Sequence, residues 1–300
     1  MSINRCERSP WNAGYKKISL YDHQLDLSYS MMVWYPTRNE ETLQQMGPYP
    51  ISAAIGAQAD TTSRYPAVLI SHGSGGSPLV YRELARYLAR QGWVVGVPEH
   101  PFNNRDNNTW EGTELNLLHR PRHLSIASDG LFGDPALSQV LQKDRYSIIG
   151  HSMGGYTALA LAGGQPSSFP HESSSGCTSR LAVTTDARIA SLVLLAPAAV
   201  WFSQEGALET LELPILMLTA EKDPFTPPYH AELIKRQLKS PEKLEHIQVT
   251  NAGHFSFLSP FPASMKREGF LPSTDPEGFD RTSFHLEMND KIAAFLSVHH

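Results

Sequence analysis

The run Gly150-His151-Ser152-Met153-Gly154-Gly155 carries the sharpest chemical signal in the chain. It follows a short strand-like run, Tyr146 to Ile149, and leads into a segment of helical spacing at 153–162, so G-x-S-x-G falls in a strand, turn, helix context. A turn this tight needs the bare backbone of Gly150 and Gly154, and it leaves the Ser152 hydroxyl exposed beyond the end of the strand. The positive end of the following helix points at the same place and favours developing negative charge.

A serine hydroxyl is a weak nucleophile; it needs a base, and the base needs a carboxylate that holds it in the right tautomer. Ala220-Glu221-Lys222-Asp223-Pro224 follows the run 214–219, and Asn251-Ala252-Gly253-His254-Phe255 follows 244–250. Each group lies just past the carboxyl end of an expected strand, the edge at which Ser152 emerges. Asp223 is therefore the expected acid, with Glu221 as alternative and a plain Asp-Pro turn as the competing structural reading. His254 is the expected base, ahead of His246 within a strand and His285 near the start of the last helix. Two backbone N–H groups are expected to hold an oxyanion, that of Met153 and one from the loop His72-Gly73-Ser74-Gly75-Gly76, with Ser74 preferred and Gly73 the alternative. Trp201, Phe225 and Phe255 follow strand ends and, with His72, are candidates to touch substrate; for the aromatic residues, ordinary packing competes with that role.

Other chemistries find less support. Gly73-x-Gly75 resembles the start of a dinucleotide-binding turn, but Pro78 stands where the third glycine belongs, and Glu99 is followed by His-Pro rather than a clean strand end. Neither a phosphate-binding G-x-x-x-x-G-K-[ST] nor H-E-x-x-H occurs. His119 and His123 are four apart, yet Pro121 is expected to start the local helix and leave His119 before it; with no third ligand in view, a structural role is expected and no metal. His299-His300 is a pair at the chain end without partners. No cofactor is called for.

The elements that must position these residues alternate. An antiparallel pair is expected over 15–36, then strand 67–71, helix 78–91, strand 93–97, helix 121–132, strand 146–149 and helix 153–162. Strands 189–195, 214–219 and 244–250 follow, with helices at 227–239 and 284–298. Alternation of this kind predicts one α/β domain over 1–300, with its core at about 15–298, a mostly parallel sheet and helices on both faces. Three stretches, 101–120, 164–187 and 255–283, exceed ordinary connections of about 4–6 residues and are expected to cover a site or to move; 101–120 and 255–283 are the lid candidates, and the Ser- and Gly-rich start of 164–187 is the expected mobile piece.

Composition narrows the functional class. With 41% hydrophobic and 18% charged residues, the chain of 300 can build a packed core, and its net charge of −5 offers no field for nucleic acid phosphates. The opening MSINRCERSP has no apolar leader and no run is long enough to span a bilayer, which reads as cytoplasmic. Cys6 and Cys177 provide no disulfide framework, and a bridge between them is not expected.

Taken together, these residues resemble the α/β-hydrolase superfamily and, within it, bacterial predicted dienelactone hydrolases related to platelet-activating-factor acetylhydrolase. The likeness is carried by Ser71-His72-Gly73-Ser74-Gly75-Gly76, Glu99-His100-Pro101, Arg120-Pro121 leading to the Ser152 motif, and Asp280-Arg281 with Phe284-His285. It implies the order nucleophile, acid, base along the chain, and a serine hydrolase that cleaves short-chain acyl esters or lactones through an acyl-serine intermediate, with a small-molecule ester as its partner. Two departures bear on specificity: Ser152 stands where true dienelactone hydrolases use a cysteine, and Ala196-Pro197-Ala198-Ala199 has no carboxylate where the acetylhydrolase carries its acid. The Gly-His-Ser-Met-Gly-Gly stretch also resembles cutinase-like polyester hydrolases. A thioesterase or acyltransferase would use the same triad, and a non-catalytic ligand-binding protein on this fold is the remaining alternative. Oligomeric state is not legible.

Overall fold

The computed structural model describes residues 9–300, apart from the side chains of residues 143 and 144. Cys6, and with it the question of a bridge to the exposed Cys177, lies outside the described residues. Ten strands form one sheet: β1 (Asn12–Asp22), β2 (Leu27–Thr37), β3 (Thr42–Met46), β4 (Tyr49–Ile55), β5 (Tyr65–Ser71), β6 (Val94–Pro98), β7 (Leu141–His151), β8 (Ile189–Leu195), β9 (Ile215–Ala220) and β10 (Leu244–Val249). Five helices accompany them: α1 (Arg82–Arg90), α2 (Glu114–Gly133), α3 (Met153–Leu161), α4 (Tyr229–Gln237) and α5 (Arg281–His299).

The strand order is β10-β9-β8-β7-β5-β6-β2-β1-β4-β3. From β6 to β10 all neighbours are parallel, while β2 joins β6 antiparallel and starts the hairpin edge. Buried apolar side chains alternate across the sheet: Leu69, Ile148 and Leu194 face α2, α3 and α4, whereas Val68, Ile149 and Val193 face α1 and α5. That two-sided burial is why these strands read as continuous apolar runs rather than alternating ones.

The order reverses at β5. The chain steps from β5 to β6 on one side, then crosses through α2 to β7 on the other, so β5 and β7 are neighbours at a topological switch point. Their register pairs Ser71 with Gly150 and releases the His72–Gly76 loop and the Ser152 turn at one level of the sheet. A crevice at the carboxyl ends of strands is where such sheets bind ligands.

Three differences from the sequence reading have physical causes. The stretch 37–65 holds the hairpin β3–β4, and β4 pairs parallel with β1 at Gly14 and Ala54. Its polar residues lie on an exposed edge, which masks the period-2 signal. Helix α2 starts at Glu114, seven residues before Pro121, capped by the Thr113 hydroxyl accepting from Asn116 N at 3.3 Å. Pro121 sits inside the helix because the Leu117 carbonyl it leaves without an N–H donor accepts from the Tyr156 hydroxyl instead, at 3.0 Å. His119 is thus helical, contrary to expectation. Finally, 164–187 is tied down: Ser167 pairs with Arg180, and the buried Glu172 carboxylate accepts from Trp201 Nε1 at 2.9 Å. Among the described residues no helix is long and apolar enough to cross a membrane.

Candidate active site

Ser152 occupies the turn between β7 and α3 with φ of 55°, a left-handed conformation that a serine holds only when the surroundings impose it. The backbone is pinned by Ser152 N donating to Leu195 O at 3.0 Å and by Ala198 N and Gly155 N donating to Ser152 O at 2.9 and 2.8 Å. The flanking glycines have no alternative. A Cβ on Gly154 would collide with the Ser71 carbonyl, and one on Gly150 with the Gly154 carbonyl.

Asp223 lies three residues past β9 and His254 five past β10. His254 Nδ1 is 2.7 Å from Asp223 Oδ2, and both side chains are buried. Oδ2 also accepts from the Thr226 hydroxyl at 2.7 Å, while Oδ1 accepts from Phe225 N and Thr226 N at 2.8 and 2.9 Å. Burial alone would raise the Asp223 pKa; the hydrogen bonds from His254 and Thr226 outweigh it and hold it at about 2. The alternative acid points elsewhere, with Glu221 Oε2 accepting from Asn251 N at 2.6 Å. His246 pairs with Thr219 and His285 with the Ser256 carbonyl, so neither rival base reaches this acid.

His151, inside the serine motif, links the Ser152 turn to the His254 segment. Its Nε2 lies 3.0 Å from His254 O and its Nδ1 2.9 Å from the Tyr81 hydroxyl. The carbonyl can only accept, so Nε2 carries the proton and the tyrosine donates to Nδ1. Ser152 and His254 open onto the same cavity, of about 310 Å³. Among the described residues no hydrogen bond joins the Ser152 hydroxyl to the imidazole.

Of the loop's glycines, Gly73 lies against Ser152: a Cβ there would stand 3.2 Å from Ser152 Cβ. Among the described residues the amides of Gly73, Ser74 and Met153 have no backbone acceptor. Both expected loop donors therefore remain available beside the serine.

Sequence reasoning missed what braces this loop. Arg120, on α2, is fully buried and has no carboxylate partner among the described residues. It donates to Thr157 Oγ1 at 2.9 Å, Asn103 Oδ1 at 2.6 Å and the His72 carbonyl. Asn103 in turn donates to Ser74 Oγ at 2.9 Å, and Ser74 donates to Glu111 at 2.8 Å. Burial, the largest effect, pulls the Arg120 pKa down to about 9, which leaves it charged at neutral pH. An unpaired buried guanidinium is costly to desolvate and stays only where several acceptors are fixed around it. The His72 carbonyl belongs to the loop itself, and Asn103 reaches the loop through Ser74, so these bonds tie the loop to α2 and α3. The Arg120-Pro121 dipeptide was visible in the sequence, but its depth was not.

Two expected substrate contacts are corrected. His72 is buried behind the loop, with Nδ1 2.7 Å from Gly73 O and Nε2 accepting from His100 N at 3.1 Å. Trp201 faces Glu172 and packs edge-on against Tyr156 outside the cavity. Phe225 and Phe255 do line it, with ring centroids 5.1 and 5.0 Å from that of His254. The wall also includes Tyr49, Val80, Leu258, Phe261 and Phe270, with Arg105 and Glu111 among its polar members. Both long insertions thus contribute: 101–120 the polar pair, 255–283 most of the apolar cover.

Burial drives many of the imidazoles toward neutrality, four of them furthest: the pKa values of His72, His123 and His151 fall to about 3, and that of His100 well below its ordinary value. Each folded value lies under the unfolded value of about 6.5, so the unfolded chain binds the extra protons. The stability they contribute is complete above about pH 6.5 and is lost as pH falls toward 3, at up to ~1.4 kcal/mol per pH unit for each ring. The melting temperature is expected to drop steadily from about pH 6.5 downward, before the carboxylates titrate. A flat melting temperature down to about pH 4.5 would contradict these buried neutral rings.

The comparisons with known proteins agree with this architecture. A family model described as alpha/beta hydrolase fold matches residues 66–171, the segment from β5 through the Ser152 turn and α3. A ferulic acid esterase from Streptomyces cinnamoneus superposes with a TM-score of 0.69 over 98% of this chain and 92% of its own, at 18% identity. The chain has the α/β-hydrolase fold. A search of the curated proteins finds no match to the sequence. In an α/β-hydrolase fold the nucleophile turn follows the strand beside the oxyanion loop, which is the relation of β7 to β5 here.

Proposed function

We propose that the protein is an esterase-type serine hydrolase that cleaves carboxylic esters through an acyl-serine intermediate. The carrying observation is the buried Asp223–His254 pair, 2.7 Å apart, whose histidine lines the cavity into which the strained Ser152 turn opens. Ser152 Oγ attacks the ester carbonyl carbon and its proton passes to His254 Nε2, while Asp223 remains ionised and accepts from Nδ1–H. The N–H of Met153 with that of Ser74 or Gly73 holds the oxyanion. Collapse breaks the ester C–O bond, and the alcohol leaves with the proton from His254. Water, deprotonated by the same imidazole, then frees the acid.

The cavity supports an apolar ester. Aromatic rings from Tyr49, Phe225, Phe255, Phe261 and Phe270 surround a volume of about 310 Å³, space for a short acyl chain or an aromatic acyl group such as that of the Streptomyces enzyme's ferulate esters. The narrower likeness to dienelactone hydrolases and acetylhydrolases belongs to this proposal as well. A panel of p-nitrophenyl esters graded by acyl length is expected to give kcat/KM values that rise with apolar contact and fall once the acyl group outgrows the cavity, each added methylene counting for up to about tenfold. Absence of turnover across esters, lactones and thioesters would reject the reading. Free acid as product, undiminished by added alcohol or amine, separates hydrolysis from acyl transfer.

A further inference from the structure

On the far side of the loop brace, Asp22 at the end of β1 meets His119 and His123 one turn apart on α2. One ligand atom from each of the three lies within 4.8 Å of the others, and all three residues are buried. The sequence hid this set, because Asp22 is about a hundred residues away and Pro121 suggested that no helix joined the two histidines. We propose that Asp22, His119 and His123 bind a divalent cation of the zinc class, which clips the β1–β2 turn to α2.

The donor set suits such an ion: two imidazole nitrogens and one carboxylate oxygen leave a fourth tetrahedral position for water. Zinc ligands at about 2.1 Å stand ~3.4 Å apart, so the three atoms need to close by no more than about 1.4 Å, within reach of side-chain rotation. Both nitrogens of the fully buried His123 ring, and Nδ1 of His119, have no hydrogen-bond partner among the described residues. A native interior rarely leaves such groups unsatisfied.

Arg122 is the apparent competitor. It grips Asp22 with Nε at 2.9 Å from Oδ2 and an Nη at 2.7 Å from Oδ1. Oδ1 is crowded, because it also accepts from Gln24 N and Leu25 N at 2.8 and 3.2 Å. Oδ2 has the arginine as its single partner among the described residues and keeps a lone pair for a metal. Arg122 then plays the part of the outer partner that orients a ligating carboxylate. Its charge and that of Arg120 weaken the site, which places it among clips that help hold a fold rather than those without which it cannot form. The indole of Trp110 covers the pair, with ring centroids 5.1 Å from His119 and 6.5 Å from His123.

The test uses the untagged full-length chain, stripped with chelator and dialysed against zinc or cobalt. One metal per chain is expected by elemental analysis, with the intense visible absorption of tetrahedral cobalt. At a hundredfold excess over Kd, zinc should raise the melting temperature by about 5 °C. His119→Gln and His123→Gln should each abolish all three signals, and replacing His299 and His300 by glutamine should leave them unchanged. Should His123→Gln fail to fold, copper quenching of tryptophan fluorescence keeps the question open to measurement: it should be strong in the parent and largely lost in Trp110→Phe and in His119→Gln. Metal that is not retained, or that is retained equally by the His119 variant, overturns the proposal. None of these readouts depends on esterase activity.

Discussion

Ser152→Ala is expected to lower kcat toward any ester by roughly 10⁶-fold with no loss of structure. Among the described residues lining the cavity, Ser152 alone is a non-glycine residue at positive φ, and alanine retains the backbone path that the Leu195, Ala198 and Gly155 hydrogen bonds impose. The Ser152 hydroxyl makes no hydrogen bond among the described residues, so its removal leaves no buried partner unsatisfied and the melting temperature should stay within about 2 °C. An organophosphonate should label the parent chain at one residue and leave the alanine variant unlabelled. A variant that keeps near-full turnover would place the nucleophile elsewhere and end the proposed mechanism.

Asp223→Asn should cost about 10⁴-fold in kcat, through proton placement rather than lost packing. Oδ1 of Asp223 accepts from two backbone N–H groups, which an asparagine can satisfy with its carbonyl oxygen alone. Its NH₂ is then forced into the Oδ2 position, 2.7 Å from His254 Nδ1. A donor there requires Nδ1 to accept, which moves the ring proton to Nε2, the atom that has to take the proton of Ser152. Phosphonate labelling should slow in parallel with kcat, while KM should change little because Asp223 does not line the cavity. Glu221→Gln is the control and should be silent, since its carboxylate binds Asn251 N on the surface. A crippled Glu221→Gln beside an unaffected Asp223→Asn would reassign the acid.

Some of this was legible from residue order. Glycines at 150 and 154 announce a close backbone approach; Ser152 and Asp223 each follow an apolar run, and His254 an alternating one, that has to end at one edge of a parallel sheet. Local signals of this kind survive because they rest on backbone sterics and strand periodicity, which need no knowledge of distant residues. The Asp223–His254 link follows from the same logic once β9 and β10 are neighbours.

Other features exist only through contacts between segments far apart in the chain. Nothing in the local sequence shows that Arg120 is buried; the packing of α2 against α3 surrounds it with Thr157, Asn103 and the His72 carbonyl. Pro121 reads as a helix start, and only Tyr156, 35 positions on by sequence number, explains how the helix passes through it. His72 and Trp201 carry substrate-binding chemistry in their types, yet packing turns one behind the loop and the other toward Glu172. Residue type and spacing determined which reaction the chain is equipped to attempt. Which side chains reach the cavity, and which groups hold its loop in place, depended on long-range packing, where burial changes what a charge or an imidazole costs.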